Sequence, residues 1–316
     1  MAPGHIFIAG HRGLLGSALV RELARAPEHS LITRSRAELD LRDQAAVKRF
    51  FEEERPEIVL LAAAKVGGIG ANSLGRWDFL YENLLIQNNV IGCCLEYDVR
   101  KLVFFGSSCI YPRLADQPLK EEYLLTGPLE PTNEPYAIAK IAGLKLVKAA
   151  NSQHARHWLS LMPTNLYGPS DNFDLNSSHV LPAMIRKFHE GKVARAGGSD
   201  APVTLWGTGR VLREFLHVDD AASGTRSLMA ADFAGLYNLG SGEEISIRDL
   251  ASLIADVVGY DGPIEWDASK PDGTPRKLLD STKIRSTGWV PRVKLREGIV
   301  DTYAWYRAHS EARASR

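Results

Sequence analysis

Short apolar segments alternate with helical segments along the first half of the chain. The apolar segments, each of strand length, are residues 5–10, 30–33, 57–63, 101–106 and 159–162. Residues 78–94 and 135–147 are rich in helix formers, and Pro135 lies where a missing amide costs a helix little. Continuous apolar strands separated by helices are typical of a parallel sheet buried on both faces. The pattern predicts an α/β fold with a doubly wound parallel sheet.

The second half mixes helices and strands in a different arrangement. Helices are predicted at residues 179–191, 246–259 and 295–308, and strands at residues 203–206, 215–218, 237–239 and 264–266. This half predicts a smaller C-terminal α/β domain. The polar end of the chain, residues 310–316, is expected to be disordered.

Composition limits the classes of partner. The 316 residues include 38 basic and 38 acidic side chains, so the net charge is zero, and no nucleic-acid or membrane-surface partner is expected. No apolar run reaches the roughly 18 residues that span a bilayer, and the N-terminal residues lack a signal-peptide pattern. Cys93, Cys94 and Cys109 form no disulfide framework, and no Cys/His spacing predicts a metal site. We expect a reduced, cytoplasmic protein without a metal.

A glycine turn separates the first predicted strand from a helical segment. Gly10, Gly13 and Gly16 follow the apolar run directly. Glycine lets the backbone approach a pyrophosphate, and the next helix offers its N-terminus to the anion. A glycine turn can also simply join a strand to a helix, but strand, turn and helix in this order favour a dinucleotide site.

Arginines follow the second predicted strand, where an NAD site usually has a carboxylate for the ribose 2′-hydroxyl. The chain has Arg34 and Arg36 there, and Arg12 in the glycine turn. Guanidinium pairs well with phosphate, so the pattern favours NADPH over NADH. Solvated surface arginines are the alternative.

Tyr136 and Lys140 are four positions apart and share one face of a predicted helix. A free phenol titrates near pH ~10, and an ammonium ~4–6 Å away should lower that pKa by roughly two to three units. The pair is then a candidate proton donor at a carbonyl. Such pairs are common on helix surfaces, so this one alone does not establish a site.

Longer motifs resemble a known family. They are FIAGHRG at 7–13, LAAAKVGG at 61–68, GSSCIYP at 106–112, LEPTNEPYAIAK at 129–140, MPTNLYGP at 162–169, REFLHVD at 213–219 and DASKPDGTPR at 267–276. From about residue 5 to residue 305, the chain resembles the extended short-chain dehydrogenase/reductases that act on nucleotide sugars. It is most similar to the branch that epimerises GDP-4-keto-6-deoxy-D-mannose at C3 and C5 and reduces C4, giving GDP-L-fucose.

The resemblance implies a domain division and a cofactor site. Residues 1–170 would form an NADP-binding Rossmann domain, with return segments at about 211–242, and residues 171–316 would mainly bind substrate. The residues implied in NADP binding are Gly10, His11, Arg12, Gly13, Leu14, Leu15, Gly16, Arg36, Leu41, Ala63, Phe105, Gly106, Ser107, Ser108, Lys140, Pro163, Thr164, Asn165, Leu166 and His179.

The resemblance also implies the chemistry. The implied roles are ketone reduction for Ser107, Tyr136 and Lys140, base and acid of epimerisation for Cys109 and His179, and GDP-sugar binding for Lys187, Trp206, Arg213 and Asp272. Cys109 needs a nearby cation or dipole to lower its pKa, and a small buried hydrophobe is the alternative reading. Lys187 departs from the family's arginine and lacks a bidentate fork. A homodimer through residues 78–97 and 136–152 is also implied.

Two other functions remain as alternatives. One is a related nucleotide-sugar enzyme, a 4,6-dehydratase or 4-epimerase that recycles NAD. Dehydratases of this family usually have an Asp-Glu pair after the strand-end hydroxyl, whereas residues 107–111 here read SSCIY. The other is a non-catalytic redox sensor, which would be expected to lack part of the Ser107, Tyr136 and Lys140 set. The epimerase/reductase is favoured over both.

Overall fold

The computed structural model describes residues 4–25, 29–270 and 272–314. Its strands are β1 Gly4–Ala9, β2 His29–Ile32, β3 Ile58–Leu61, β4 Lys101–Phe105, β5 Leu159–Pro163, β6 Asn165–Tyr167, β7 Val203–Trp206, β8 Leu212–His217, β9 Gly235–Leu239, β10 Glu244–Ser246, β11 Ile264–Asp267 and β12 Arg276–Lys277. Its α-helices are α1 Leu14–Leu23, α2 Gln44–Glu54, α3 Ile69–Leu74, α4 Arg76–Glu96, α5 Glu134–Gln153, α6 Val180–Ala196, α7 Val218–Ala230, α8 Ile247–Val258, α9 Thr282–Arg285 and α10 Leu295–Ala314.

Six parallel strands form the central sheet, in the order β2-β1-β3-β4-β5-β9. The chain moves from β1 outward to β2 and then returns to β3 on the other side of β1. The strand order therefore reverses between β1 and β3, and ligands bind beyond the carboxyl ends of strands at such a point. The predicted doubly wound parallel sheet is confirmed.

Both faces of the central sheet are buried. Along β1, Phe7 packs into one apolar cluster with Phe51, whereas Ile6 and Ile8 pack into a second cluster with Leu19 of α1. Side chains alternate between the two faces of a strand, so a continuous apolar run supplies both clusters at once. This explains why the sheet strands lack polar alternation.

Two smaller sheets lie outside the central one. Strand β8 pairs with β10, β12 and β6, and β7 pairs with β11. A third apolar cluster, which includes Ile185 of α6 and Ile254 of α8, covers this region. Strand β9 lies at the edge of the central sheet, next to β5, whereas β8 belongs to the second sheet.

Several predicted boundaries differ from the structure. Helix α5 starts at Glu134 and continues to Gln153, beyond the predicted residue 147. Helix α10 continues to Ala314, so the predicted disorder is wrong for residues 310–314, where alanine, glutamate and arginine favour a helix. Residues 315–316 lie outside the described residues. Among the helices that the structure describes, none is long and apolar enough to cross a bilayer.

Candidate active site

A cleft of about 1280 Å³ opens beyond the carboxyl ends of the central strands. It is bordered by the turns after β1, β3, β4 and β5 and by α6, β7, β8 and β12. All the predicted cofactor, catalytic and substrate residues line it except His11 and Arg12. Arg12 is exposed in the glycine turn. Residues as far apart in the sequence as Gly10 and Asp272 are therefore brought to one cavity.

The glycine turn after β1 is shaped by close backbone contacts. Gly10 has a φ of 86°, a conformation that favours glycine, and its carbonyl accepts from the Gly13 amide at 3.0 Å. A Cβ on Gly16 would lie 2.1 Å from the Gly10 oxygen. Within the described part of the chain, no side chain caps the N-terminus of α1, so its first amides can bind an anion. The turn is a cradle that fits a pyrophosphate.

We expect Gly16→Ala to abolish dinucleotide binding, because the new methyl group would push the turn apart. Gly92→Ala is the matched control, because Gly92 does not line the cleft and a Cβ there would meet nothing within 4 Å. Isothermal titration with NADP⁺ measures both variants. Equal affinity of Gly16→Ala and wild type would contradict this role for the turn.

The cleft end next to β2 is more acidic than the sequence suggested. Asp40 and Glu82 line it together with Arg36 and Arg42. Arg34, one of the three guanidiniums expected to reach a 2′-phosphate, instead pairs with Glu54 and donates to the Thr33 carbonyl at 2.8 Å. The sequence analysis did not identify Asp40 and Glu82 because neither lies at the end of β2, where an NAD site usually has an acidic residue.

Tyr136 and Lys140 share one face of α5, as the spacing predicts. Lys140 is 4% exposed, and its Nζ donates to the Phe105 carbonyl at 2.8 Å and lies 5.8 Å from the centre of the Tyr136 ring. Burial raises the phenol pKa of Tyr136 well above its usual value, so the expected lowering is wrong. Desolvation of the phenol raises its pKa more than the Lys140 charge could lower it. The Lys140 ammonium is instead hydrogen-bonded to the Phe105 carbonyl.

Burial also lowers the pKa of Lys140 to about 8. The charged form is therefore present at neutral pH and is lost as pH rises through about 8. Tyr136 remains protonated over the same range. A protonated phenol is the form that donates a proton, so the corrected pKa still fits an acid.

Ser107, Cys109 and His179 face the same cleft from two elements. Ser107 begins the 3₁₀ turn Ser108–Ile110, and its Oγ accepts from the Cys109 amide at 3.3 Å. Burial raises the Cys109 pKa, whereas the charge of Lys277 opposes that rise most strongly. His179 precedes α6 with its ring open to the cleft, and the surrounding protein lowers its pKa by desolvation, with Lys277 adding to the effect.

Lys277 is a site residue that sequence reasoning missed. It lies on β12, which pairs with β8, and lines the cleft near Cys109 and Arg213. Desolvation lowers its pKa. The only sequence signal was its position directly after the DASKPDGTPR motif.

The predicted substrate residues lie around β7 and β8. Lys187 donates to the Thr204 carbonyl at 2.8 Å, and its Nζ is 5.9 Å from the centre of the exposed Trp206 ring. Arg213 donates to the Asp272 carbonyl at 3.2 Å. The Asp272 carboxylate accepts from the amide and hydroxyl of Thr208, each at 2.8 Å. Asp272 thus fixes this wall of the cleft.

Residues 6–240 match the family model described as NAD dependent epimerase/dehydratase family. The match covers most of the chain, including the glycine turn, β4 and α5. The chain belongs to this family. The resemblance found in the sequence motifs is thereby confirmed, and the dinucleotide-binding fold agrees with it.

Relatives within the epimerase/dehydratase family are similar over nearly their full length. The probable GDP-L-fucose synthase 1 of Oryza sativa subsp. japonica is 56% identical, over 96% of this chain and 92% of its own. The GDP-L-fucose synthase of Escherichia coli K12 is 50% identical, over 97% of each chain. The solved GDP-mannoheptose C4 reductase MlghC of Campylobacter jejuni, with NADP bound, is 40% identical with a TM-score of 0.88, covering 97% of this chain and 99% of its own.

Proposed function

We propose that this epimerase/dehydratase family member converts GDP-4-keto-6-deoxy-D-mannose to GDP-L-fucose, by 3,5-epimerisation and then NADPH-dependent reduction at C4. One observation carries the proposal: Ser107, Cys109, Tyr136, Lys140 and His179 all line one cleft. The relatives named GDP-L-fucose synthase, 50–56% identical, support it. A recycling dehydratase or 4-epimerase remains the alternative.

The cofactor is NADP, and the turn after β1 is the proposed pyrophosphate site. Gly10, Gly13 and Gly16 would hold the phosphates, and Arg36 and Arg12 would pair with the 2′-phosphate. The rest of the bound NADP would be bordered by the other predicted cofactor residues, among them Phe105, Ser108 and Asn165. When bound, NADPH supplies a hydride to the ketone carbon of the sugar.

Tyr136 donates its proton to the C4 oxygen as negative charge develops there, and Ser107 donates a second hydrogen bond to the same oxygen. The high pKa of the phenol keeps the proton in place until that charge appears. Lys140, anchored on the Phe105 carbonyl, positions the helix face that carries Tyr136.

At C3 and C5, the Cys109 thiolate would take a proton from the carbon, and the protonated His179 imidazolium would return one to the opposite face. The hydrogens on C3 and C5 are acidic because both carbons are adjacent to the C4 ketone. Burial disfavours the thiolate, and the charges of Lys277 and Lys140 and the hydrogen bond with Ser107 would oppose that effect. Lys277, which contributes most of the three, would act on the reaction through Cys109.

The GDP portion would lie against Lys187, Trp206, Arg213 and Asp272. Arg213 and Lys277 supply positive charge for the diphosphate, and the exposed Trp206 ring offers a surface for stacking. Lys187 gives a single charge and is already hydrogen-bonded to Thr204. We therefore expect Arg213 to contribute more to diphosphate binding.

The test is product analysis by mass spectrometry after incubation with GDP-4-keto-6-deoxy-D-mannose and NADPH in deuterated water. We expect a reduced GDP-deoxyhexose carrying deuterium at C3 and C5, with NADPH oxidised only when the sugar is present. A product without reduction at C4, or no turnover of fresh substrate, would overturn the proposal. A reduced product without deuterium would identify a 4-reductase alone.

We also propose a homodimer. Helices α4 and α5 pack together, and their outer surfaces expose Trp77, Tyr81, Ile138 and Leu146. Trp77 and Tyr81 stack with ring centres 5.3 Å apart. A second copy presenting the same helices would cover this apolar surface as a four-helix contact. Sedimentation equilibrium at micromolar concentration tests this, and a stable monomer would refute it.

The proposed division assigns NADP to residues 1–170, with the return segments at 211–242, and substrate mainly to residues 171–316. The arrangement of β9 in the central sheet supports the return segment. A cytoplasmic location is part of the proposal, because a reducing compartment keeps the Cys109 thiol free.

A further inference from the structure

Five charged side chains form a rim on the cleft next to β2. We call Arg36, Asp40, Arg42, Lys65 and Glu82 the charged rim, and all five line the cleft. The acids accept from cations on either side of them, so positive and negative charges alternate. Arg36 is the rim residue for which a contact with the 2′-phosphate is proposed above.

Arg42 binds both acids of the rim. Its Nε and Nη2 donate to the two Asp40 oxygens at 3.0 and 2.7 Å, and its Nη1 donates to Glu82 at 2.9 Å. The main-chain amide of Arg42 donates to Asp40 as well, at 3.0 Å. One planar guanidinium thus bridges two carboxylates, which a lysine cannot do with the same geometry.

Arg36 is held only loosely by the same acids. Its nearest nitrogens lie 3.9 Å from Asp40 and 3.9 Å from Glu82, and its side chain is 69% exposed. Lys65 donates to the other Glu82 oxygen at 2.5 Å. Both carboxylates are already engaged by other cations, so Arg36 makes no close hydrogen bond with them and stays exposed at the edge of the cleft.

We propose that Arg42 is a positioning residue for NADP selectivity, which occupies Asp40 and Glu82 so that Arg36 stays available to a 2′-phosphate. This inference rests on the proposed cofactor site. Without Arg42, Asp40 would become an unpaired acid within reach of Arg36 and would capture it. The same acid would also repel a dianionic phosphate placed nearby.

Two further observations agree with this role. The hydrogen bonds from Arg42 hold the pKa of Asp40 down to about 2, so the acid stays charged and its pairing matters at every working pH. Leu41, between the two, is fixed through its carbonyl by Asn89 at 2.9 Å. The backbone that presents Asp40 and Arg42 to the cleft is therefore held in place.

The first test compares NADP⁺ with NAD⁺ binding to Arg42→Met by isothermal titration. We expect about a tenfold loss of affinity for NADP⁺ at low salt, smaller at high salt, and less than a twofold change for NAD⁺. Two fragments should show the same difference: we expect Arg42→Met to weaken binding of 2′,5′-ADP, which has the 2′-phosphate, but not of 5′-AMP, which lacks it. Equal losses for both dinucleotides, or no loss, would overturn the inference.

The second test separates positioning from direct contact. If Arg42 acts by occupying Asp40, then Asp40→Asn in the Arg42→Met background should restore most of the NADP⁺ affinity. If Arg42 contacts the phosphate itself, the double variant should remain weak, which would refute the positioning role. Arg296→Met is the matched control, because Arg296 pairs with Asp256 at 2.6 Å and does not line the cleft.

Asp40→Asn alone keeps the inference testable if Arg42→Met fails to fold. Removing the acid should strengthen NADP⁺ binding or leave it unchanged, whereas a clear loss would contradict the account. Failure of the wild-type protein to bind NADP⁺ would instead refute the proposed cofactor site. The two failures are therefore distinguishable.

Discussion

Tyr136→Phe should lower the rate of C4 reduction by about 10²–10⁴-fold while deuterium still enters the sugar from solvent. The phenol oxygen is the group that gives a proton to the C4 oxygen, and a positioned acid contributes about that factor. The phenylalanine ring keeps the edge contact of residue 136 with Phe79, whose ring centre lies 6.4 Å away, so the helix face should not collapse.

Two measurements on the same variant check this separation of roles. NADPH oxidation is followed by absorbance, and deuterium uptake at C3 and C5 is followed by mass spectrometry without NADPH. Loss of both activities would show that Tyr136 also takes part in epimerisation. Normal reduction would exclude the phenol as the acid.

Cys109→Ser should have the opposite pattern, with deuterium uptake slowed by about 10²–10⁴-fold. A serine hydroxyl is far less acidic than a thiol, so the base of the exchange step is lost while the side-chain volume changes little. NADP⁺ affinity should stay within twofold of wild type, which serves as the folding control. Unchanged exchange would reduce Cys109 to a buried structural residue.

Lys277→Met supplies a companion test of the same thiolate. Burial raises the pKa of Cys109 and the charge of Lys277 opposes that rise, so removing the charge should raise the pKa further. Exchange should then slow at neutral pH and recover as the pH is raised. A profile that keeps its wild-type midpoint would show that Lys277 does not act on the thiol.

Local sequence pattern was sufficient to predict the fold and the glycine turn after β1. Apolar runs of strand length define β1, β3, β4 and β5 because each strand is buried on both faces. Gly10 and Gly16 can also be recognised from the sequence, because close backbone contacts at those positions exclude any residue with a side chain. Short elements such as β12 carry too few residues for a pattern, and their pairing with β8 is set by tertiary contacts.

The pKa shifts in the candidate site were harder to predict than the residues that line it. Spacing placed Tyr136 and Lys140 on one face, but the sign of the phenol's pKa shift depends on burial and on the Phe105 carbonyl, which spacing does not show. Lys277 and Glu82 were missed because each reaches the cleft from a distant segment, and Asp40 because it lies beyond the end of β2 rather than at it. Their effects depend on the folded arrangement of charges.

The pairing of β12 with β8 has a consequence for how the protein is made. Lys277 reaches Cys109 only after most of the polypeptide has been translated and the last parallel pair has formed. A ribosome-bound chain that has already folded its glycine turn would still lack the cation that promotes the thiolate. If Cys109 is the base proposed above, its thiol would gain this stabilising charge only when synthesis is nearly finished.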